Sequence, residues 1–256
     1  MIFKNVLSSI VIALALAAAA STGQPAAQKV PPELVWTCEL APWSQIDSKA
    51  GPLSRLMGNA LVPTFLSGMA QRRFTKMFGP ARTADPLRWA AFDTHEGDFL
   101  TVVLVYPSVD REAKMVFNHA GAKHDPEPGV IILPPGEGRE YRTFAVFNAD
   151  RTYCAFSESR WLAKRALAAK YPSSDGKLCA FLCGKTRASL AVDDDGMLVD
   201  VEGSDPAELN DLKSIPVAGG FFTAPGKRRV KGGSAVREAV LSLGRVADGR
   251  GAKGVR

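Results

Sequence analysis

A strand, a tight turn, a second strand and a helix follow one another in the segment YRTFAVFNADRTYCAFSESRWLAKRALAAK, and the same plan recurs twice elsewhere in the chain. Phe144 and Val146, and after the turn Tyr153 and Ala155, alternate as half-buried strands do. Asn148, Ala149 and Asp150 break the run and supply turn chemistry. Beyond them Trp161, Leu162, Ala166, Leu167 and Ala168 recur at helical spacing, with Arg160, Lys164, Arg165 and Lys170 mostly off that stripe. Ser157 or Ser159 is placed to cap this helix.

The earlier copy is a strand over Leu87–Asp93, a turn at Thr94–Asp98, a strand over Phe99–Tyr106 and a helix over Asp110–Ala120. The later copy is Arg187–Val192, the turn Asp193-Asp194-Asp195-Gly196, Met197–Val201 and a short helix over Pro206–Leu212. Offsets of about 54 and 45 residues fall in the range of duplicated modules. FLTVVLVY is β-branched and continuously apolar, which predicts a central strand covered on both faces. Glu33–Leu40, Val130–Leu133 and Leu178–Leu182 read as further strands. Ser54–Phe78 has helical spacing, as two short helices or one kinked at Pro63. The Pro- and Gly-rich stretch His119–Arg139 reads as surface loop around a short strand, and Ala235–Leu243 as a short helix. A hairpin with one helix buries its own apolar side poorly, so the copies should pool into one layer. The expected class is α+β: repeated ββα units forming an antiparallel or mixed sheet covered by helices on one face.

Residues 1–20 begin with Lys4 as the one basic residue, continue with an apolar run of about 15 residues, and end in Ala18-Ala19-Ala20. This is the pattern of a cleaved Sec-type signal peptide, and the run is shorter than the roughly 20 residues a membrane-spanning helix needs. The expected organisation is a signal peptide over 1–20, a linker over 21–30, a single α+β domain over 31–217 and a basic, Gly-rich, largely disordered tail over 218–256. No other segment is apolar for long enough to span a bilayer, so the expected product is periplasmic or secreted.

The net charge of +6 sits at the carboxyl end, where Gly226–Arg256 holds nine Lys/Arg against Glu238 and Asp248. The body is near neutral, which argues against nucleic acid as a partner. Lys227, Arg228, Arg229 and Lys231 are candidates to contact an anionic envelope surface.

Export changes the reading of Cys38, Cys154, Cys179 and Cys183, since an oxidising compartment permits disulfides, and disulfide bonding is expected among them. Cys179 and Cys183, if on one strand, stand about 13 Å apart and cannot bridge each other.

His119, His124, Asp125 and Glu127 form the densest set of metal-type ligands, suited to Zn²⁺ or a similar ion, although they lack HExxH spacing. Asp193, Asp194 and Asp195, with Asp200 and Glu202, offer hard oxygens that suit Ca²⁺, but Asp-Gly between two apolar runs equally reads as a hairpin turn. His95 with Glu96 and Asp98 offers a general base or simply a polar turn. Ser157 and Ser159 lack the GxSxG elbow, and neither Gly136-Glu137-Gly138 nor Gly219-Gly220 has a phosphate-loop pattern. The leading expectation is an exported non-catalytic binding or envelope-associated protein; the alternative is a metal-dependent or other hydrolase using the His119–Glu127 loop. Expressed with its leader in a bacterium, the chain should be recovered outside the cytoplasm with Ser21 at its amino terminus. Amino-terminal sequencing that still reads Met1 would refute this.

Overall fold

The computed structural model describes residues 31–56, 71–72, 75, 78–95, 100–109, 120–135, 141–213, 215 and 221–231. The leader over 1–20, the linker over 21–30, most of the expected helical stretch 54–78, the expected helix 110–120 except its last residue, and the expected helix 235–243 lie outside the described residues.

Among the described residues one antiparallel sheet organises the chain. Its strands are β1 (Glu33–Leu40), β2 (Leu87–Asp93), β3 (Thr101–Tyr106), β4 (Lys123–His124), β5 (Val130–Leu133), β6 (Thr143–Phe147), β7 (Cys154–Ser157), β8 (Cys179–Cys183), β9 (Thr186–Asp193), β10 (Gly196–Glu202) and β11 (Gly226–Val230). They lie in the order β11-β10-β9-β8-β1-β2-β3-β7-β6-β5-β4. The three expected hairpins are β2–β3, β6–β7 and β9–β10, each formed of adjacent antiparallel strands. The sheet is therefore antiparallel, the first of the two forms the sequence allows.

Three helices are described: α1 (Trp43–Leu56), α2 (Arg160–Leu167) and α3 (Pro206–Lys213). The expected α+β class, an antiparallel sheet with helices packed against a face, is what the chain forms. Trp43 and Ile46 of α1 and Leu212 of α3 join one apolar cluster with Trp36, Trp89, Leu104 and Phe181. We call that side the tryptophan face. Leu162, Ala163 and Ala166 of α2 join Ala90, Phe92, Val103 and Val105 on the reverse face. The period of two explains the division, since successive side chains of a strand point to opposite sides. In β3, Leu104 and Tyr106 enter the tryptophan face, and Val103 and Val105 the reverse face. Its apolar continuity thus reflects cover on both sides.

A bulge in β1 sets the register of the sheet's centre. Leu34 pairs with Phe92 and Trp36 with Ala91, leaving Val35 as the extra residue. Leu34 packs on the reverse-face cluster, whereas Val35 and Trp36 both turn toward the tryptophan face. One inserted residue thus shifts the alternation, so that Trp36, Cys38 and Leu40 all reach the core.

Two elements escape simple pattern reading. α1 starts directly after Pro42, well before the expected helical stretch, and carries Pro52 inside it. β11 lies within the stretch expected to be a largely disordered tail, where it pairs with β10 from Met197↔Val230 to Val201↔Gly226. Gly196 makes that close pairing possible: at φ +141° a Cβ there would stand 2.3 Å from the carbonyl oxygen of Val230.

The expectation of disulfide bonding is corrected: Cys38, Cys154, Cys179 and Cys183 are all free thiols. Strand positions give the reason. Cys38 pairs with Phe181, so Cys179 and Cys183 are its diagonal neighbours. Such pairs lie about 7–8 Å apart, past the roughly 7 Å limit for bridging. Cys154 stands on β7, three strands from β1. Burial pushes the Cys179 and Cys183 thiols up to about 12, so they behave as apolar filling rather than as nucleophiles.

Leu104→Ala, at a fully buried position on the central strand, should cost about 2–5 kcal/mol in urea unfolding. Leu198→Ala, at a half-buried position on β10, should cost about half that. Equal costs at the two positions would contradict the assignment of faces.

Candidate functional site

The reverse face is covered unevenly. Over β2, β3, β7 and β6 it carries α2, whose Ser159 caps the helix as the sequence suggests, its Oγ accepting from the Leu162 amide at 3.4 Å. Over β1 it carries the chain that leaves α2. There Glu39, in the direct register partner of Arg88, is buried and pairs with the Arg88 guanidinium at 2.9 Å. The Ser174 amide donates to the other Glu39 oxygen at 2.9 Å, and the Ser174 hydroxyl donates to it at 3.1 Å. Arg88 also lies over the rings of Tyr153 and Tyr171, at 4.5 and 5.2 Å from their centroids. Burial pushes the Tyr153 phenol up to about 12 and raises that of Tyr171 as well. Neither phenol is poised for acid–base work near neutrality, and the Glu39 carboxylate is fully engaged, so this cluster clamps the post-helix segment to the sheet. Sequence reasoning missed it, although Thr37 and Glu39 punctuating an otherwise apolar strand were a signal.

Beyond β1 no described helix covers this face. On β8, β9 and β10 the residues alternating with the tryptophan-face core include Leu182, Ala191 and Leu198, all half-buried. With them lies a small, shallow groove open to solvent, lined by Pro172, Ser173 and Lys177 along one side and by Arg187, Ser189, Asp200 and Glu202 on the strands. Arg187 stands opposite Glu202 and Ser189 opposite Asp200 in the β9–β10 register. Lys227 of β11 pairs with Asp200 at 3.6 Å. The groove therefore offers both signs of charge and two hydroxyls, a surface suited to a polar extended chain rather than to one small ion.

The structure brings part of the expected metal set together, but turns it toward cations. Asp125, nearly fully buried, accepts from Arg160 Nη2 at 2.8 Å, and Glu127 accepts from Arg160 Nη1 at 3.3 Å and from Lys164. These hydrogen bonds hold the Glu127 carboxyl below its ordinary range. The loop before β5 is thereby pinned to the first turns of α2. His124 stands on β4 and is exposed, and His119 lies outside the described residues. Among the described residues no three of His, Cys, Asp and Glu converge as metal ligands. His95, beside Asp93 at 3.5 Å, closes β2, and β2 and β4 stand five positions apart in the sheet. Glu96 and Asp98 lie outside the described residues.

The Asp193–Gly196 turn is the β9–β10 hairpin. Asp193 Oδ1 accepts from the Asp195 amide at 3.0 Å and from Arg229. Of the expected anionic-surface residues, Lys227 and Arg229 are thus ion-paired within the chain, Arg228 donates to the carbonyl oxygens of Phe221 and Ala224, and Lys231 is exposed. No helix among the described residues is long and apolar enough to cross a membrane. Compared with known families, with curated proteins and with solved structures, the chain matches none.

At the far end of β1 acidic groups crowd together. Glu33 lies directly opposite Asp93, an unfavourable like-charge pair. Asp211 of α3 feels both, together with Glu208 and Asp205, and its carboxyl is raised first by burial and then by these neighbours. A carboxyl raised in the folded state leaves the folded chain holding more protons than the unfolded one, so stability falls as pH rises past the ordinary value of 3.8. Asp211→Asn should therefore raise the urea midpoint at pH 7, and the gain should close as pH drops below 3.8. A variant no more stable than the parent at pH 7 would contradict this account.

Proposed function

We propose that this chain is an exported, non-catalytic binding protein that acts at the cell envelope, taking an extended polar segment of a partner protein on the reverse face of β8–β11. One observation carries the reading: no described helix covers this half of the sheet's reverse face, and it bears a groove in which Arg187, Glu202, Ser189 and Asp200 stand as cross-strand partners. A strand-rich floor holds such groups rigidly, and a rigid surface loses little freedom on binding. The distance between His95 and His124 along the sheet favours binding over hydrolysis, and so does the capture of Asp125 and Glu127 by Arg160 and Lys164. For an ion to sit at that loop, it must displace both cations.

The leader supports export, and the pairing of Lys227 with Asp200 makes this cation part of the groove's own framework, while Arg229 is held by Asp193 at the β9–β10 turn. Protein from Ser21 onward, the form expected after processing, should sediment with washed bacterial envelopes. Arg187→Glu or Lys177→Glu should weaken that retention about fivefold or more, the loss expected for one energetically important contact. Wild-type protein that stays wholly in the supernatant would sink the proposal.

A further inference from the structure

All four tryptophans of the chain are described, and three are buried in the core: Trp36, Trp43 and Trp89. The fourth, Trp161, is 41% exposed. It belongs to the apolar run that predicts α2, yet the buried stripe of that helix is Leu162, Ala163 and Ala166. At about 100° per residue, Trp161 projects to the side of this stripe, with exposed Lys164 and Arg165 on the same outward surface.

The surroundings of this indole are cationic. The Arg165 guanidinium lies over its ring at 4.9 Å. Arg142 and Arg160 both stack on Phe144, at 5.2 and 5.3 Å, which brings Arg142 beside the first turn of α2. Arg160 and Lys164 are neutralised by Asp125 and Glu127. Arg142 and Arg165 have no carboxylate partner among the described residues, and each is exposed and held in place by an aromatic ring. Exposed Tyr141 precedes Arg142. Among the described residues, half-buried Glu158 directly precedes the cap residue Ser159.

An amphipathic aromatic ring flanked by exposed guanidiniums matches a bilayer's interfacial zone, where indoles sit at headgroup depth and cations meet lipid phosphates. We propose that the outward face of α2, with Trp161 as anchor and Arg142 and Arg165 as the charged contacts, docks the protein on the surface of a bilayer rich in anionic phospholipid. This rests on the reading of the chain as an exported envelope protein, but it names a surface other than the groove.

The sole exposed tryptophan makes the test direct. Protein from Ser21 onward is used, because the leader's apolar run would itself enter lipid, and every described element lies beyond it. Mixed phosphatidylethanolamine–phosphatidylglycerol vesicles should pull the protein down, shift its tryptophan emission to the blue and protect it from acrylamide; phosphatidylcholine vesicles should do none of these. Trp161→Ser should abolish the emission shift and most of the sedimentation, with unchanged thermal unfolding. Arg142→Gln and Arg165→Gln should each weaken vesicle binding about fivefold. Sedimentation with anionic vesicles but no emission shift, or sedimentation unaltered in Trp161→Ser, would place lipid contact elsewhere and overturn the proposal. Sedimentation with washed envelopes but not with vesicles would overturn it too, leaving the envelope-binding reading intact. Absence from both pellets would remove both.

Discussion

The alternation of side chains across β1, β2 and β3 is the constraint on which the rest of the structure depends. β2 and β3 are apolar on both sides, and β1 adds Leu34 behind the sheet and Trp36, Cys38 and Leu40 in front, so both sides must be covered, and the cover comes from elements distant in sequence. α1 and α3 serve the tryptophan face, and α2 serves the reverse face. A slip of one residue in any of the three would exchange the two apolar sets. The bulge at Val35 is a local case of such a slip, made where Leu34 must pack behind the sheet and Trp36 in front of it.

That unequal cover also produces the surfaces on which function is proposed. α2 and the segment after it occupy the reverse face as far as β1, where the Glu39–Arg88 pair and the two tyrosines fix the chain. Past that clamp, no described helix covers the reverse side of the third hairpin's strands. Their outward residues are half-buried aliphatics interspersed with paired opposite charges, which solvate well and still offer directional contacts. α2 in turn exposes the one tryptophan that the core does not use.

Polar residues grouped in sequence acquire different meanings once folded. Asp125 and Glu127 look like ligands beside His124, but α2 delivers Arg160 and Lys164 to them from more than 30 residues away. Lys227 and Arg229 look like a free basic run, but β11 sets them against Asp200 and Asp193. Four cysteines behind an export leader suggest disulfides, yet each is assigned by strand register to a position that meets no partner within bridging distance. The disulfide expectation fails because a thiol count in one dimension contains no information on what the sheet places opposite.

The strands themselves were legible because their signal is local. Period-two alternation, β-branched content and turn residues act over fewer than ten positions, and β1, β2, β5 and the three hairpins lie where those patterns put them. α2 and α3 were legible for the same reason, through spacing and a serine cap. What sequence alone could not determine was strand order: β8 joins β1, and β3 joins β7, through pairings that span about 140 and 50 residues. Nor could it show which side of the sheet each helix covers, or that a Gly- and Arg-rich stretch would complete an edge. Those outcomes depend on which apolar faces remain uncovered once the hairpins have met, and that becomes defined only when the whole layer has assembled.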